Sequence, residues 1–257
     1  MQLPAFLRSL CLIAMLATGL SLAACTKAPE GRTEKLEADD NNDPLEPMNR
    51  GFYQFNRAVD VAILRPISWA YAHGVPDKGR QMISNALDNL YTPVQFANSV
   101  LQGDPQNSFV NLWRFLINSS FGVAGLFDPA TDVGLKARPT DFGQTLALYG
   151  AEPGPYLVLP FFGPSGIRDG IGRGVDTLMN PITYTNTPVS LSVAGATAID
   201  WRSENMDLVD NIYRDSLDPY ATFRSAFTQK RVSEIKRART ARQKVWDENF
   251  TSSKSSK

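Results

Sequence analysis

The chain holds one histidine, His73, in 257 residues, and its two cysteines, Cys11 and Cys25, both lie near the N-terminus. A single imidazole excludes a His-cluster metal site and leaves one candidate base for nucleophilic catalysis. The serine best framed for such work is Ser165, in Gly-Pro-Ser-Gly. No Gly-x-Ser-x-Gly elbow surrounds it, and nothing in the sequence brings it to His73. His73 stands in Ala-Tyr-Ala-His-Gly-Val-Pro, an expected helix end, where facing solvent or capping carbonyls is the ordinary role. The glycines of Gly166 to Gly174 lack the G-x-G-x-x-G order and no clear strand precedes them, so nucleotide binding has no frame. Their i, i+4 spacing could allow close helix approach, but that motif has meaning mainly inside an apolar span and Arg168 and Asp169 make this one polar. Acidic pairs show no diagnostic spacing. The sequence therefore predicts no catalytic set, no metal site and no cofactor.

Cys25 offers different chemistry. Residues 1–24 carry one charge, Arg8, followed by the apolar run Leu10 to Leu22 and the ending Leu-Ala-Ala-Cys. A basic start, a short apolar stretch and small residues before a cysteine read as an export signal with a bacterial lipobox, in which the Cys25 thiol takes the lipid; the alternative is an ordinary cleaved signal with a chance cysteine. The run is too short for a spanning helix, which needs about 20 apolar residues. Cys11 would leave with the signal, so thiol chemistry and disulfides are not expected in the mature chain. Several acyl chains on one residue give stable membrane attachment where a single chain is marginal. Thr26, not aspartate, follows the cysteine, as in lipoproteins sent on to the outer membrane.

The expected layout is a signal peptide (1–24), a lipidated cysteine with a flexible tether (25–43), a helical body (44–229), a basic C-terminal helix (230–250) and a disordered tail (251–257). From Thr26 to Asp43 there are six acidic residues, three basic ones and no aromatic residue, which cannot nucleate a core. As a flexible coil this stretch would span about 20–25 Å. Charge is balanced, with 26 basic and 26 acidic residues, so nucleic acid is not an expected partner.

Most of the body reads as helix. Met48, Phe52, Phe55, Val59 and Ile63 recur at helical spacing over Pro47 to Ile63, and Arg65-Pro66 is expected to break the run. A second helix is expected after Pro76, a short third from Pro93 to Leu101, and a fourth from the Asp104-Pro105 cap through Ile117. From Val110 to Phe127 the only charge is Arg114, with apolar residues on all faces. Such a segment is buried in a core or lies as a helical hairpin in one leaflet. Eleven of the eighteen glycines and six prolines fall between Gly122 and Gly174, which favours shaped loops over long helices. There Leu126 to Gly143 suits a hairpin-like loop, and Gly154 to Gly163 an extended wall. Helical periodicity resumes at Pro188 to Trp201 and from Pro219 onward. Lys230 to Lys244 holds seven basic residues against Glu234, either a solvated face or a surface for anionic headgroups or an acidic partner.

Four segments go further: D-P-L-E-P-M-N-R-G-F-Y-Q-F-N (Asp43 to Asn56), L-Q-G-D-P (Leu101 to Pro105), R-P-T-D-F-G-Q-T-L (Arg138 to Leu146) and G-P-Y-L-V-L-P-F-F-G-P-S-G-I-R-D-G (Gly154 to Gly170). In that order they resemble the VacJ/MlaA lipoprotein family, the outer-membrane component of the Mla phospholipid transport system. Ala147 stands where the family more often has glycine, and the basic segment after Lys230 looks particular to this chain. The resemblance implies a mainly α fold: a ring-like helical platform embedded in the periplasmic leaflet of the outer membrane, with the Gly/Pro-rich loops around a central amphipathic channel. It implies removal of mislocalised phospholipids from the outer leaflet and hand-off to a soluble periplasmic lipid carrier (MlaC-like), with a trimeric outer-membrane porin as further partner and no reaction catalysed. Channel-lining or gating candidates on that basis are Phe52, Phe55, Asn56, Gly125, Phe127, Gly134, Gly143, Phe161 and Phe162, with Gly125 to Gly143 as the mobile loop. The alternatives are a structural scaffold lipoprotein with no conduit, and a phospholipase using Ser165.

Overall fold

The computed structural model describes residues 42–136 and 138–250. The signal, Cys25, nearly all of the tether and the tail 251–257 lie outside the described residues. The chain is mainly helical, with one two-stranded sheet. In order come α1 (Glu46–Val59), a π-helical turn (Asp60–Leu64), α2 (Arg65–Gly74), α3 (Asp77–Leu101), α4 (Pro105–Ser120), α5 (Pro129–Asp132) and α6 (Phe142–Leu148). Then follow β1 (Tyr156–Leu159), β2 (Gly163–Gly166), α7 (Ile167–Met179), a 3-10 turn (Pro181–Tyr184), α8 (Thr187–Glu204), α9 (Met206–Asp215) and α10 (Pro219–Phe250).

Two prolines expected to end helices do not. Pro66 lies in the first turn of α2, directly after the π turn, where the Arg65 amide donates to the Asp60 carbonyl. The wider turn absorbs the proline, whose ring would otherwise press on the carbonyl four residues back. Pro93 sits inside the 25-residue α3, so the expected second and third helices are one. Packing along α4, the most extensive contact between elements, outweighs the lost backbone bond. The cap was read correctly: Asp104 accepts from the Asn107 amide at 2.9 Å.

α3 and α4 are packed inside out. The buried residues of α4 are Asn107, Asn111 and Asn118, and those of α3 include Asn89, Thr92, Asn98 and Ser99. Asn107 and Asn111 each donate to Ser99 Oγ at 2.9 Å, and Asn89 donates to Ser119. Phe109, Leu112, Trp113 and Leu116 face outward instead. The same holds for the whole described chain, where nine apolar side chains are buried against twenty-three polar or charged ones. No described helix is long and apolar enough to cross a membrane.

The small apolar core is aromatic: Tyr53, Tyr156, Val158 and Tyr220, flanked by Phe52, Tyr213, Phe223 and Phe227. It joins α1, β1 and α10. The hairpin is not at Leu126 to Gly143, which holds the short α5. It is at Tyr156 to Gly166, with the antiparallel register Tyr156 opposite Gly166 and Leu159 opposite Gly163. The strand missing from the sequence reading, β2, leads directly into α7. α10 is continuous across residues 229 and 230, and its basic stretch is not merely a solvated face. Arg231 pairs with Asp141 and Asp169, while Arg239 and Arg242 donate to the Ala147 and Leu148 carbonyls at the end of α6.

Candidate functional site

α1 stitches itself to the free edge of β1 through two asparagines seven residues apart, hence on one helix face. Asn49 donates to the Tyr156 carbonyl at 2.9 Å and accepts from the Val158 amide at 2.9 Å. Asn56 does the same further along, donating to the Leu159 carbonyl at 2.9 Å and accepting from the Phe161 amide at 2.8 Å. Asn49 is fully buried and also donates to Asp43. The helix thus supplies the partners that a third strand would give and leaves β1 no open edge there.

Leu159 and Gly163 are the last strand pair, so Pro160, Phe161 and Phe162 form the hairpin tip. Phe161 has φ +65°, a conformation that costs a bulky residue about 1–2 kcal/mol. Its amide is held by Asn56, and its ring meets Phe55 edge-on with centroids 5.2 Å apart. Beside this contact lies an open apolar cleft of about 440 Å³ lined by Met48, Gly51, Phe52, Phe55, Pro160 and Phe161. Phe161 and Phe162 are 73% and 71% exposed. The cleft carries no ionisable side chain, so what it can do is hold aliphatic chains.

Of the sequence-derived candidates, Phe52, Phe55, Asn56, Phe161 and Phe162 are brought together here. The glycines and Phe127 are not. Gly125 follows Val123 and Ala124 in a left-handed run and presses on Asn89 of α3, where an added Cβ would stand 2.5 Å from the Asn89 Cβ. Phe127 is half exposed just beyond that turn, and Gly134 has open space around it. This loop is clasped to α4, because Arg114 donates to Asp128, to Thr131 and to the Leu135 carbonyl. Gly143 is a packing position. It faces Gly172 of α7, where any Cβ would meet the Gly143 backbone at 2.4 Å. A close helix approach in the Gly166 to Gly174 segment, discounted from sequence because the segment is polar, does occur at Gly172. Asn49 was missed, although its seven-residue spacing from Asn56 was visible.

The other chemistry weighed from sequence finds no frame. Ser165 is fully buried and donates its hydroxyl to the Gly166 carbonyl. His73 ends α2, stacks on Trp69 and lies within 2.8 Å of the Trp69 carbonyl.

Next to the cleft elements, Asp176 ties α7 to α3 and α6. It accepts from Asn98 Nδ2 at 2.7 Å and from the Phe142 amide at 3.1 Å. Burial pushes its carboxyl from the ordinary 3.8 up to about 6, and nearby Asp141 adds to the rise. The folded chain thus keeps this proton to higher pH than the unfolded chain. Stability from this group falls as pH rises between 3.8 and about 6. Asp176→Asn, which can still accept both bonds, is expected to flatten that slope. Urea midpoints at pH 4, 5 and 7 test this, and an unchanged slope would reject the assignment.

The chain is similar to known proteins along most of its length. The family model for the MlaA lipoprotein matches residues 41–234. An uncharacterized protein of Rickettsia bellii is 37% identical over 195 residues, covering 75% of this chain and 76% of the relative. The intermembrane phospholipid transport system lipoprotein MlaA of Escherichia coli is 36% identical over 193 residues, covering 74% and 76%. Its Haemophilus influenzae counterpart is 31% identical over 225 residues, covering 85% and 87%. A structure solved to explain maintenance of bacterial outer membrane lipid asymmetry superposes with TM-score 0.68 at 34% identity, covering 75% of this chain and 98% of that one.

Proposed function

The chain belongs to the MlaA lipoprotein family, and from that premise we propose that it removes phospholipids misplaced in the outer leaflet of the outer membrane. It would pass them along an amphipathic channel beside α1 and the hairpin to a soluble periplasmic carrier. In this reading acylated Cys25 anchors the chain, the body lies in the periplasmic leaflet, and a trimeric porin supports it. Phospholipid is cargo and no bond is broken.

The observation that carries the reading is the inverted burial of α3 and α4. In water an apolar exterior around an asparagine-lined interface would be costly, since apolar surface gains from leaving water. In a leaflet it is the stable arrangement: the acyl chains meet Phe109, Leu112, Trp113 and Leu116, and the amide N–H groups of Asn89, Asn107 and Asn111 find partners inside. The cleft at Phe55 and Phe161 adds a further apolar surface, and its strained tip suits a residue that changes conformation.

Joining the two sides of the cleft should stop lipid passage. With Phe55→Cys and Phe161→Cys linked by a short cleavable bifunctional thiol reagent, surface phospholipid is expected to rise to the level of a deletion strain. Cleaving the linker should restore it. Unchanged surface phospholipid in the linked protein would favour a scaffold without a conduit.

A further inference from the structure

We propose that Arg173 binds a phosphate oxyanion at the hairpin, carried by a glycerophospholipid headgroup or by free phosphate. The proposal rests on the conduit reading above and adds a headgroup contact to it.

Arg173 leaves α7 to reach the hairpin tip, where Nη1 donates to the Phe162 carbonyl at 2.9 Å and Nη2 to the Pro164 carbonyl at 3.1 Å. Two of its five N–H groups are thus used, both on neutral acceptors. Five other covered arginines of the described chain pair with carboxylates, while Arg239 and Arg242, like Arg173, hold backbone carbonyls. Arg114 meets Asp128 at 2.9 Å, Arg168 meets Asp169 at 3.0 Å, Arg202 meets Asp60 at 2.8 Å, Arg224 meets Asp43 at 2.9 Å and Arg231 meets Asp141 at 2.6 Å. Arg173 pairs with no carboxylate among the described residues. One turn back on its own helix stands Asp169, the natural partner at this spacing, but Asp169 is taken by Arg168 and Arg231. Asp141, also nearby, is held by Arg231, and Asp176 is engaged by Asn98 and Phe142. Burial lowers the basicity of Arg173, as it does for a cation lacking its counter-ion.

A half-buried cation without an anion is unfavourable, and its place says which anion would suit. The carbonyl it holds belongs to Phe162, whose ring is exposed, and the neighbouring Phe161 lines the apolar cleft. A guanidinium fork held on the backbone of a hairpin tip whose aromatic side chains are exposed matches a ligand whose phosphate adjoins aliphatic chains.

The test uses the full lipidated chain in detergent, with Arg173→Gln and Arg173→Lys. Probes are short-chain phosphatidylglycerol, the diacylglycerol of the same chain length, and inorganic phosphate. Arg173→Gln is expected to weaken phosphatidylglycerol binding about tenfold to a hundredfold and to leave diacylglycerol binding unchanged. Arg173→Lys, which keeps the charge and loses the fork, should fall between. A loss seen with inorganic phosphate alone would assign the site to the free anion. Equal losses for both lipids would mean that Arg173 only props the hairpin, and no loss with any phosphate-bearing probe would mean that it binds none; either overturns the proposal while the conduit reading stands. A wild-type protein that binds neither lipid would overturn the conduit reading and the lipid source with it.

Discussion

Replacing Arg202 by methionine is expected to cost about 3–5 kcal/mol of folding stability, the usual consequence of stripping one partner from a buried ion pair. Arg202 is 1% exposed. Its Nε donates to Asp60 at 2.8 Å and its Nη2 to Asp210 at 2.6 Å. Burial works against its charge, but the bonds to the two carboxylates outweigh that and hold it more basic than usual. In the methionine variant Asp210 keeps Arg65, 2.8 Å away. Asp60 keeps nothing of that kind, and it opens the π turn that lets α1 run on into α2. The variant Asp60→Asn/Arg202→Met removes both charges and should recover most of the loss. Urea unfolding followed by far-ultraviolet circular dichroism measures both. A loss below about 1 kcal/mol would mean that the pair behaves as an exposed one.

The positions of α1, α3, α4, α8 and α10 were legible in the sequence because the 3.6-residue period survives whichever way a helix faces, whereas α6, α7 and α9, which lie in or beyond the glycine-rich stretch, were not. Nor was what lies against each face. In α1 the spacing put Met48 and Phe55 on one face without saying what covers it; both side chains are exposed while Asn49 and Tyr53 are buried. A pattern marks the apolar side of a helix without saying whether protein or lipid covers it. Asn107, Asn111 and Asn118 share one face of α4 by spacing alone, but amides on a helix read as solvent-facing until a second polar helix is placed against them. The prolines misled for a related reason. Pro66 is absorbed by a π turn and Pro93 by packing along α4, neither of which is written in the neighbouring residues. At the site, the Phe55 and Asn56 assignment came from the family motif; in the structure both residues meet Phe161 at the hairpin tip. Gly143 was assigned to a moving loop; in the structure it packs against Gly172, twenty-nine residues away in sequence. Arg173 gave no signal, since its meaning depends on which carboxylates other arginines have already taken.

Removing Arg231 should be as damaging as removing Arg202, and it decides whether α10 is part of the body. Arg231 is well covered and donates to Asp141 at 2.6 Å, to Asp169 at 2.9 Å and to Glu234 at 2.9 Å. Asp141 also caps α6 by accepting from the Gln144 amide at 2.8 Å, beside the contact between Gly143 and Gly172. Burial pushes the Asp141 carboxyl up, but Arg231 holds it down more strongly, and the net result lies below the usual carboxylate range. This stabilisation is therefore complete above the ordinary carboxylate pKa and disappears as pH falls through the lowered folded value. In Arg231→Met, Asp169 retains Arg168, so Asp141 is the charge left stranded. The expected loss is about 3–5 kcal/mol at neutral pH, shrinking as the solution is acidified and Asp141 takes up its proton. Asp141→Asn preserves an acceptor for the Gln144 amide and should cost less than Arg231→Met. Combined with Arg231→Met, it should relieve part of the loss. Because Arg231 fastens α10 to α6 and α7, the methionine variant should also become open to limited proteolysis between residues 230 and 245. Unaltered proteolysis together with an unchanged urea midpoint would show that α10 is held by its aromatic contacts with Tyr53 and Tyr156 instead.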